Sequence, residues 1–202
     1  GGQQESGSAC ISSRGDDGQI TFREWHPVGV EEYGYVAPDP LNPDIVYGGK
    51  VSRYDRRTGQ VQQVGPKALR SADYRVVRTM PVLFSPVNPR KLFFASNVLW
   101  QTVDGGQQWT QVSPDLTRER WDVPATVGVY RGAPGAAPTR RGVIYTIAPS
   151  PLDEMTIWVG TDDGNVQVTR DGGKTWTNTV KAMTGLAPNA WINKVEASHF
   201  DA

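Results

Sequence analysis

Apolar positions along the chain fall in short runs, not in long amphipathic stretches. Three runs are nearly continuous: Asp44-Ile-Val-Tyr47, Lys91-Leu-Phe-Phe-Ala95 and Thr156-Ile-Trp-Val-Gly160. Runs of this length between turn residues suit strands covered on both faces. Each is followed by a stretch in which apolar and polar residues alternate: Val51-Ser-Arg-Tyr54, Val98-Leu-Trp-Gln-Thr102 and Asn165-Val-Gln-Val-Thr169. A further stretch comes after a turn: Gln60-Val-Gln-Gln-Val64, Gln108-Trp-Thr-Gln-Val112 and Lys174-Thr-Trp-Thr177. A period of two puts successive side chains on opposite faces of a strand. An additional strand precedes each apolar run: Tyr33-Gly-Tyr-Val-Ala37, Met80-Pro-Val-Leu-Phe84 and Gly142-Val-Ile-Tyr-Thr-Ile-Ala148. The pattern predicts units of four short strands: inner, second, third and outer.

The units repeat. Pro38-Asp-Pro40-Leu-Asn-Pro aligns with Ser85-Pro86-Val-Asn-Pro and with Ser150-Pro151-Leu-Asp, and Ser198-His-Phe-Asp201 begins a fourth copy. Pro40 and Pro86 are 46 residues apart, Ser150 and Ser198 are 48 apart, and Pro86 and Pro151 are 65 apart, so one unit carries an insertion. Four short strands at a period in the forties predict an all-β fold of β-propeller blades, about four of them here. The expected division is a partial blade lacking its inner strand at 1–29, blades at 30–66 and 67–113, an inserted loop at 114–141, a blade at 142–184, and the inner strand of a next or closing blade at 185–202. In the first unit, residues 9–12 would be the third strand and 19–25 the fourth; residues 191–197 read as an inner strand. The two ends would either complete one blade of a small ring or belong to a segment of a longer propeller. The uneven ends favour the segment.

Thr102-Val-Asp104-Gly-Gly106-Gln-Gln-Trp109 recurs as Thr169-Arg-Asp171-Gly-Gly173-Lys-Thr-Trp176. Both lie between third and outer strands. An aspartate there accepts hydrogen bonds from the turn's own amides, and the threonine adds a hydroxyl. Gly106 and Gly173 suit positive φ. Trp109 and Trp176 cover the turn and pack between sheets. The motif therefore reads as structural. Tyr54-Asp55-Arg-Arg-Thr-Gly59 makes a comparable turn without tryptophan.

Composition narrows the function classes. Lys plus Arg number 21 and Asp plus Glu number 21, which gives no reason to expect nucleic acid as a partner. No apolar stretch is long enough for a membrane span. Cys10 stands alone, so no internal disulfide forms, and it reads as a small buried hydrophobe. His26 and His199 lack a metal-ligand motif, and Asp16-Asp17-Gly18 lacks the full spacing of a calcium loop. No metal and no cofactor is expected.

The two boxes, with Gly1-Gly-Gln-Gln4, Asp17-Gly-Gln-Ile-Thr-Phe-Arg-Glu-Trp25, Glu31-Glu-Tyr-Gly-Tyr35 and the Pro-x-Asn-Pro turns, resemble bacterial relatives of the sortilin and Vps10 ectodomains. Those are grouped with BNR-repeat (Asp-box) glycosyl-hydrolase-like proteins. The resemblance implies a secreted, periplasmic or cell-surface protein with more blades, or a second propeller, as its intramolecular partners. A looser resemblance to tandem-propeller xyloglucanases implies catalytic aspartates between two propellers, but no local motif places them here. The arginine triad and tyrosine nucleophile of sialidases cannot be assigned either, so no residue is expected as catalytic.

Propellers carry sites on the face where inner strands and their loops meet. Glu31 and Glu32 precede one inner strand; Tyr74, Arg75 and Arg78 precede another, and a polar network between the two groups would make a ligand site. In the insertion, Trp121, Tyr130 and Arg131 would stack on a sugar or peptide, or anchor the loop. Two function classes follow: a non-catalytic binding or scaffold module for a protein, peptide or glycan, and a segment of a carbohydrate-active hydrolase.

Overall fold

In the computed structural model, residues 1–121, 123–136, 139–187 and 190–201 are described. Fifteen strands form four antiparallel sheets among them. Sheet 1 has three strands, β1 (Gly2–Gln3), β2 (Gly7–Ile11) and β3 (Trp25–Val28). Sheet 2 is β4 (Val36–Asp39), β5 (Asn42–Gly48), β6 (Ser52–Asp55) and β7 (Gln60–Gln63). Sheet 3 is β8 (Val82–Phe84), β9 (Leu92–Ala95), β10 (Leu99–Thr102) and β11 (Thr110–Gln111). Sheet 4 is β12 (Ile144–Pro149), β13 (Ile157–Thr161), β14 (Val166–Thr169) and β15 (Thr177–Asn178). Strands are in sequence order within each sheet, as in the all-β blades of a propeller.

The continuous apolar runs have a simple cause: each second strand is sandwiched between two neighbouring sheets. Val46 packs toward sheet 1 with Val28, Val30, Cys10 and Tyr54. Its neighbours Ile45 and Tyr47 join Val51, Met80, Leu92, Phe94 and Trp100 between sheets 2 and 3. One residue from Phe94, Phe93 faces the other way, into a cluster with Leu99, Leu116, Ile144, Ile147 and Ile157 between sheets 3 and 4. Phe93 and Phe94 are 1% and 0% exposed. Each such burial contributes about 2–3 kcal/mol, which is why both faces of the strand are apolar.

Several boundaries differ from the sequence reading. Inner strands begin later than expected: β4 starts at Val36 because Gly34, at φ 82, takes the chain out of the extended region just before it. The outer strand of sheet 1 is Trp25–Val28, not 19–25. Thr21 caps a 3-10 turn at Phe22–Glu24, its hydroxyl and backbone N–H both donating to the Glu24 carboxylate, so the chain there cannot pair as a strand. The expected strand at 191–197 forms no ladder among the described residues. It runs over sheet 4 instead. Ile192 N–H donates to the Thr161 carbonyl (3.1 Å), and a Cβ added at Gly160 would strike Ile192. The insertion holds 3-10 segments at Ala125–Gly132 and Pro134–Ala136 and a bridge between Trp121 and Thr139. Asp122, Ala137 and Pro138, within the expected insertion, and Pro188, Asn189 and Ala202, within the expected terminal strand, lie outside the described residues. No helix among the described residues is long and apolar enough to cross a membrane.

Candidate functional site

The two boxes adopt the same hydrogen-bonded turn. Thr102 Oγ1 donates to Asp104 Oδ1 (2.7 Å) and accepts from the Gly106 N–H (3.1 Å), while Asp104 Oδ1 accepts from the Gln108 N–H (3.0 Å). Thr169, Asp171, Gly173 and Thr175 repeat this at 2.8, 2.9 and 2.9 Å, and the Thr175 hydroxyl adds a bond to Asp171 Oδ2 at 2.6 Å. The Asp171 carboxyl is lowered to about 2 by the Thr175 hydroxyl, then by the Thr175 amide and Thr169. Gly106 and Gly173 sit at φ 90 and 99. Each tryptophan leaves its own sheet: Trp109 Nε1 donates to the Val64 carbonyl of the preceding unit (2.6 Å) and Trp176 Nε1 to that of Val112 (3.2 Å). Asp104 Oδ1 and both carboxylate oxygens of Asp171 are thus engaged by the turn itself.

The strands that run into the boxes begin at a different cluster, at the far end of sheets 3 and 4. There Arg75, just ahead of the inner strand β8, acts as a clamp. Its backbone N–H donates to Asn97 Oδ1 (2.7 Å), its Nε to the Gly142 carbonyl (3.0 Å), and its Nη2 to Asp115 Oδ2 (2.7 Å) and Thr117 Oγ1 (3.0 Å). Asp115 also accepts from Asn97 Nδ2 (3.0 Å) and the Thr117 hydroxyl (2.6 Å), with Arg140 Nε at 3.6 Å. Burial alone would raise the Asp115 carboxyl, but the bonds from Thr117, Arg75 and Asn97 outweigh it and hold the group below its ordinary value.

Two further aspartates sit at the adjoining turn between β13 and β14. Asp163 is 1% exposed and accepts from the Thr161 hydroxyl (2.5 Å) and the Arg118 N–H (2.8 Å). Asp162 Oδ1 accepts from the Val143 N–H (2.8 Å). Burial pushes the Asp162 carboxyl up against that bond, and the neighbouring Asp163 charge pushes the same way. An open polar cleft of about 460 Å³ lies alongside, lined by Asp115, Thr117, Arg140, Asn165 and Gln167 among others.

The remaining sequence candidates do not converge on this network. Glu32 accepts from the Glu5 N–H (2.7 Å) and lies 3.7 Å from Arg78, whose guanidinium sits 3.5 Å above the Tyr33 ring. Glu31 packs against the turn at Gly49. The Tyr74 hydroxyl donates to Gln111 Oε1 (3.0 Å), and its ring lies 5.2 Å from that of Trp100. Trp121 is half-buried beside Thr139, whereas Tyr130 is 75% exposed and Arg131 is exposed. So Arg75 belongs to one cluster, Glu32 and Arg78 to a second, and Trp121, Tyr130 and Arg131 to the insertion. Sequence reasoning missed Asp115, Thr117, Asp162 and Asp163 as a group. The one available signal was the position of Thr161-Asp-Asp-Gly164, which follows a second strand as Ser96-Asn97 does. Among the described residues no group of three or more His, Cys, Asp or Glu could hold a metal ion.

No protein-family model matches the chain, and no curated protein matches it. Similar solved structures include a GH74 xyloglucanase from Xanthomonas campestris, at 20% identity and a TM-score of 0.46 over 76% of this chain and 23% of that one. A GH74 enzyme of Niastella koreensis is similar at 13% identity and a TM-score of 0.47 over 77% of this chain and 24% of that one. YCF48 bound to D1 peptide is similar at 12% identity and a TM-score of 0.28, over 80% of this chain and 74% of that one. The chain spans about a quarter of the length of the two GH74 enzymes.

Proposed function

We propose that the chain is a binding or scaffold module of a secreted, periplasmic or cell-surface β-propeller protein, with a protein, peptide or glycan as ligand, and that a further sheet packs on sheet 4. The observation that carries the further sheet is a matched pair of backbone contacts. Ile144 N–H donates to the Ser96 carbonyl (2.8 Å) where sheet 4 docks on sheet 3, and Ile192 N–H donates to the Thr161 carbonyl (3.1 Å) at the equivalent place on sheet 4. The following turn also matches. Ser198 Oγ accepts from the Phe200 and Asp201 amides as Ser150 Oγ accepts from those of Leu152 and Asp153. Residues 192–201 thus follow the path of an inner strand and its turn. They cover sheet 4 incompletely: Trp158 is half-buried where its counterpart Phe93 is 1% exposed, and a groove of about 680 Å³ runs beside it. The scaffold role rests on the polar residues being committed to holding sheets together, Arg75 above all.

A second reading, a segment of a carbohydrate-active hydrolase, is favoured by one observation. Asp115 lines the open cleft and Asp162 sits at the adjoining turn. Burial pushes the Asp162 carboxyl up while bonds from Thr117, Arg75 and Asn97 hold that of Asp115 down, and glycoside hydrolysis uses an acid and a base pushed apart. One experiment separates the readings: the protein is purified from its source, its intact mass is taken, and it is assayed on xyloglucan. A mass well above that of 202 residues with no sugar released supports the module. A mass equal to this chain's removes the further sheet. Sugar release that Asp162→Asn abolishes replaces the module with the hydrolase.

A further inference from the structure

On the outer rim between sheets 2 and 3 lies a groove of about 720 Å³, separate from the Arg75 cluster. Its floor includes Leu69, Val76, Trp100 and Trp109, and its rim includes Lys50, Lys67 and Arg70. All three cations are exposed, and no carboxylate lines the groove. None of the three takes part in an ion pair among the described residues. In a chain of zero formal net charge, this is a local concentration of positive charge above an apolar surface.

The groove is built from fixed parts. Leu69 packs against the core between sheets 2 and 3, and its N–H donates to the Pro66 carbonyl (3.1 Å), which leaves Lys67 and Arg70 exposed on the same 3-10 turn. Lys50 precedes Val51, a fully buried β-branched residue held at φ 71. That backbone is strained and persists only where its surroundings impose it; here Val51 packs in the core and its carbonyl accepts from the Val64 N–H (2.9 Å). The Trp109 indole is tied to the Val64 carbonyl and the Trp100 indole donates to Ser96 Oγ (3.2 Å).

We propose that this groove docks an extended acidic peptide carrying an apolar side chain between its carboxylates. The three cations set the charge of the partner, and the floor sets the need for an apolar anchor. A sugar acid finds less to stack on, because Trp100, one of the two indoles on the floor, is 5% exposed. Amides at the mouth, from Gln63, Gln107 and Gln108, suit a peptide backbone.

The test titrates the full chain with an acetylated hexapeptide of sequence Glu-Leu-Asp-Glu-Leu-Phe, following tryptophan fluorescence at low and at physiological salt. Binding is expected, weakening as salt rises. The exposed double substitution Lys67→Glu with Arg70→Glu, its fold checked by circular dichroism, is expected to weaken binding by about tenfold or more. A peptide with Leu and Phe replaced by Ser is expected to lose a similar factor of about tenfold. No binding of the acidic peptide, unchanged affinity in the charge-reversed variant, or tighter binding of polygalacturonate than of the peptide would each overturn the proposal. The proposal rests on the binding half of the proposed function and names its ligand as a peptide; the further sheet on sheet 4 is tested separately by the intact mass, so failure here leaves that part standing.

Discussion

Asp171 shows how much of one carboxylate's chemistry a turn can absorb. Its two oxygens take bonds from the Thr169 hydroxyl, the Thr175 amide and the Thr175 hydroxyl. Its carboxyl lies at about 2 where the ordinary value is 3.8. A group lowered on folding contributes stability that is fully present above the unfolded value and is lost as pH falls through the folded one. The thermal midpoint of the wild type is therefore expected to fall over the window from 3.8 to about 2 by more than that of Asp171→Asn. Equal slopes in the two proteins would show that the turn does not depend on the charge. Asp104 is lowered too, by the Gln108 amide first and Thr102 second, but Gln108 has no hydroxyl to match that of Thr175. The residues of the boxes are adjacent in sequence, so their turn chemistry could be written down from the sequence. Arg75 and Asp115 are 40 positions apart, and nothing local to either announces the other.

At the scale of the element, the strands were legible because each second strand must be apolar on both faces, and Ile45–Tyr47, Leu92–Ala95 and Ile157–Val159 spell that requirement out. Their ends were not. Strand 19–25 is displaced by a capping interaction between Thr21 and Glu24, a three-residue spacing that lies beneath the apolar alternation of the same stretch. Residues 191–197 have the composition of a strand, yet a strand exists only where a neighbour pairs with it. The box hairpin makes a sharper demand. Gly173 has φ 99, and a Cβ there would strike the Val112 carbonyl of the sheet before. Gly173→Ala is expected to destabilise by about 2 kcal/mol or more in denaturant unfolding. Gly132→Ala, where nothing lies within 4 Å, is expected to change stability by less than about 0.5 kcal/mol. Similar costs at both sites would mean that the sheet contact is not tight.

Across the whole molecule, sheets 3 and 4 are joined by more than apolar packing. Arg75 binds the turn of sheet 3 through Asn97, the following loop through Asp115 and Thr117, and the start of sheet 4 through Gly142. Its side chain is 24% exposed and that of Asp115 17%, so the pair is only partly screened by water. Removing one partner of such a network costs about 2–3 kcal/mol. Arg75→Ala is expected to lose that much in urea unfolding, and hydrogen exchange should quicken in β12–β14 more than in β5 and β6. Uniform quickening, or none, would show that the clamp does not join these two sheets in particular. The tryptophans have a temporal consequence. Trp109 and Trp176 reach back to carbonyls 45 and 64 residues earlier in the chain. A ribosome delivers each indole only after the sheet it fastens has already emerged. In the order of synthesis, the hairpin of sheet 3 therefore latches onto sheet 2, and the hairpin of sheet 4 onto sheet 3.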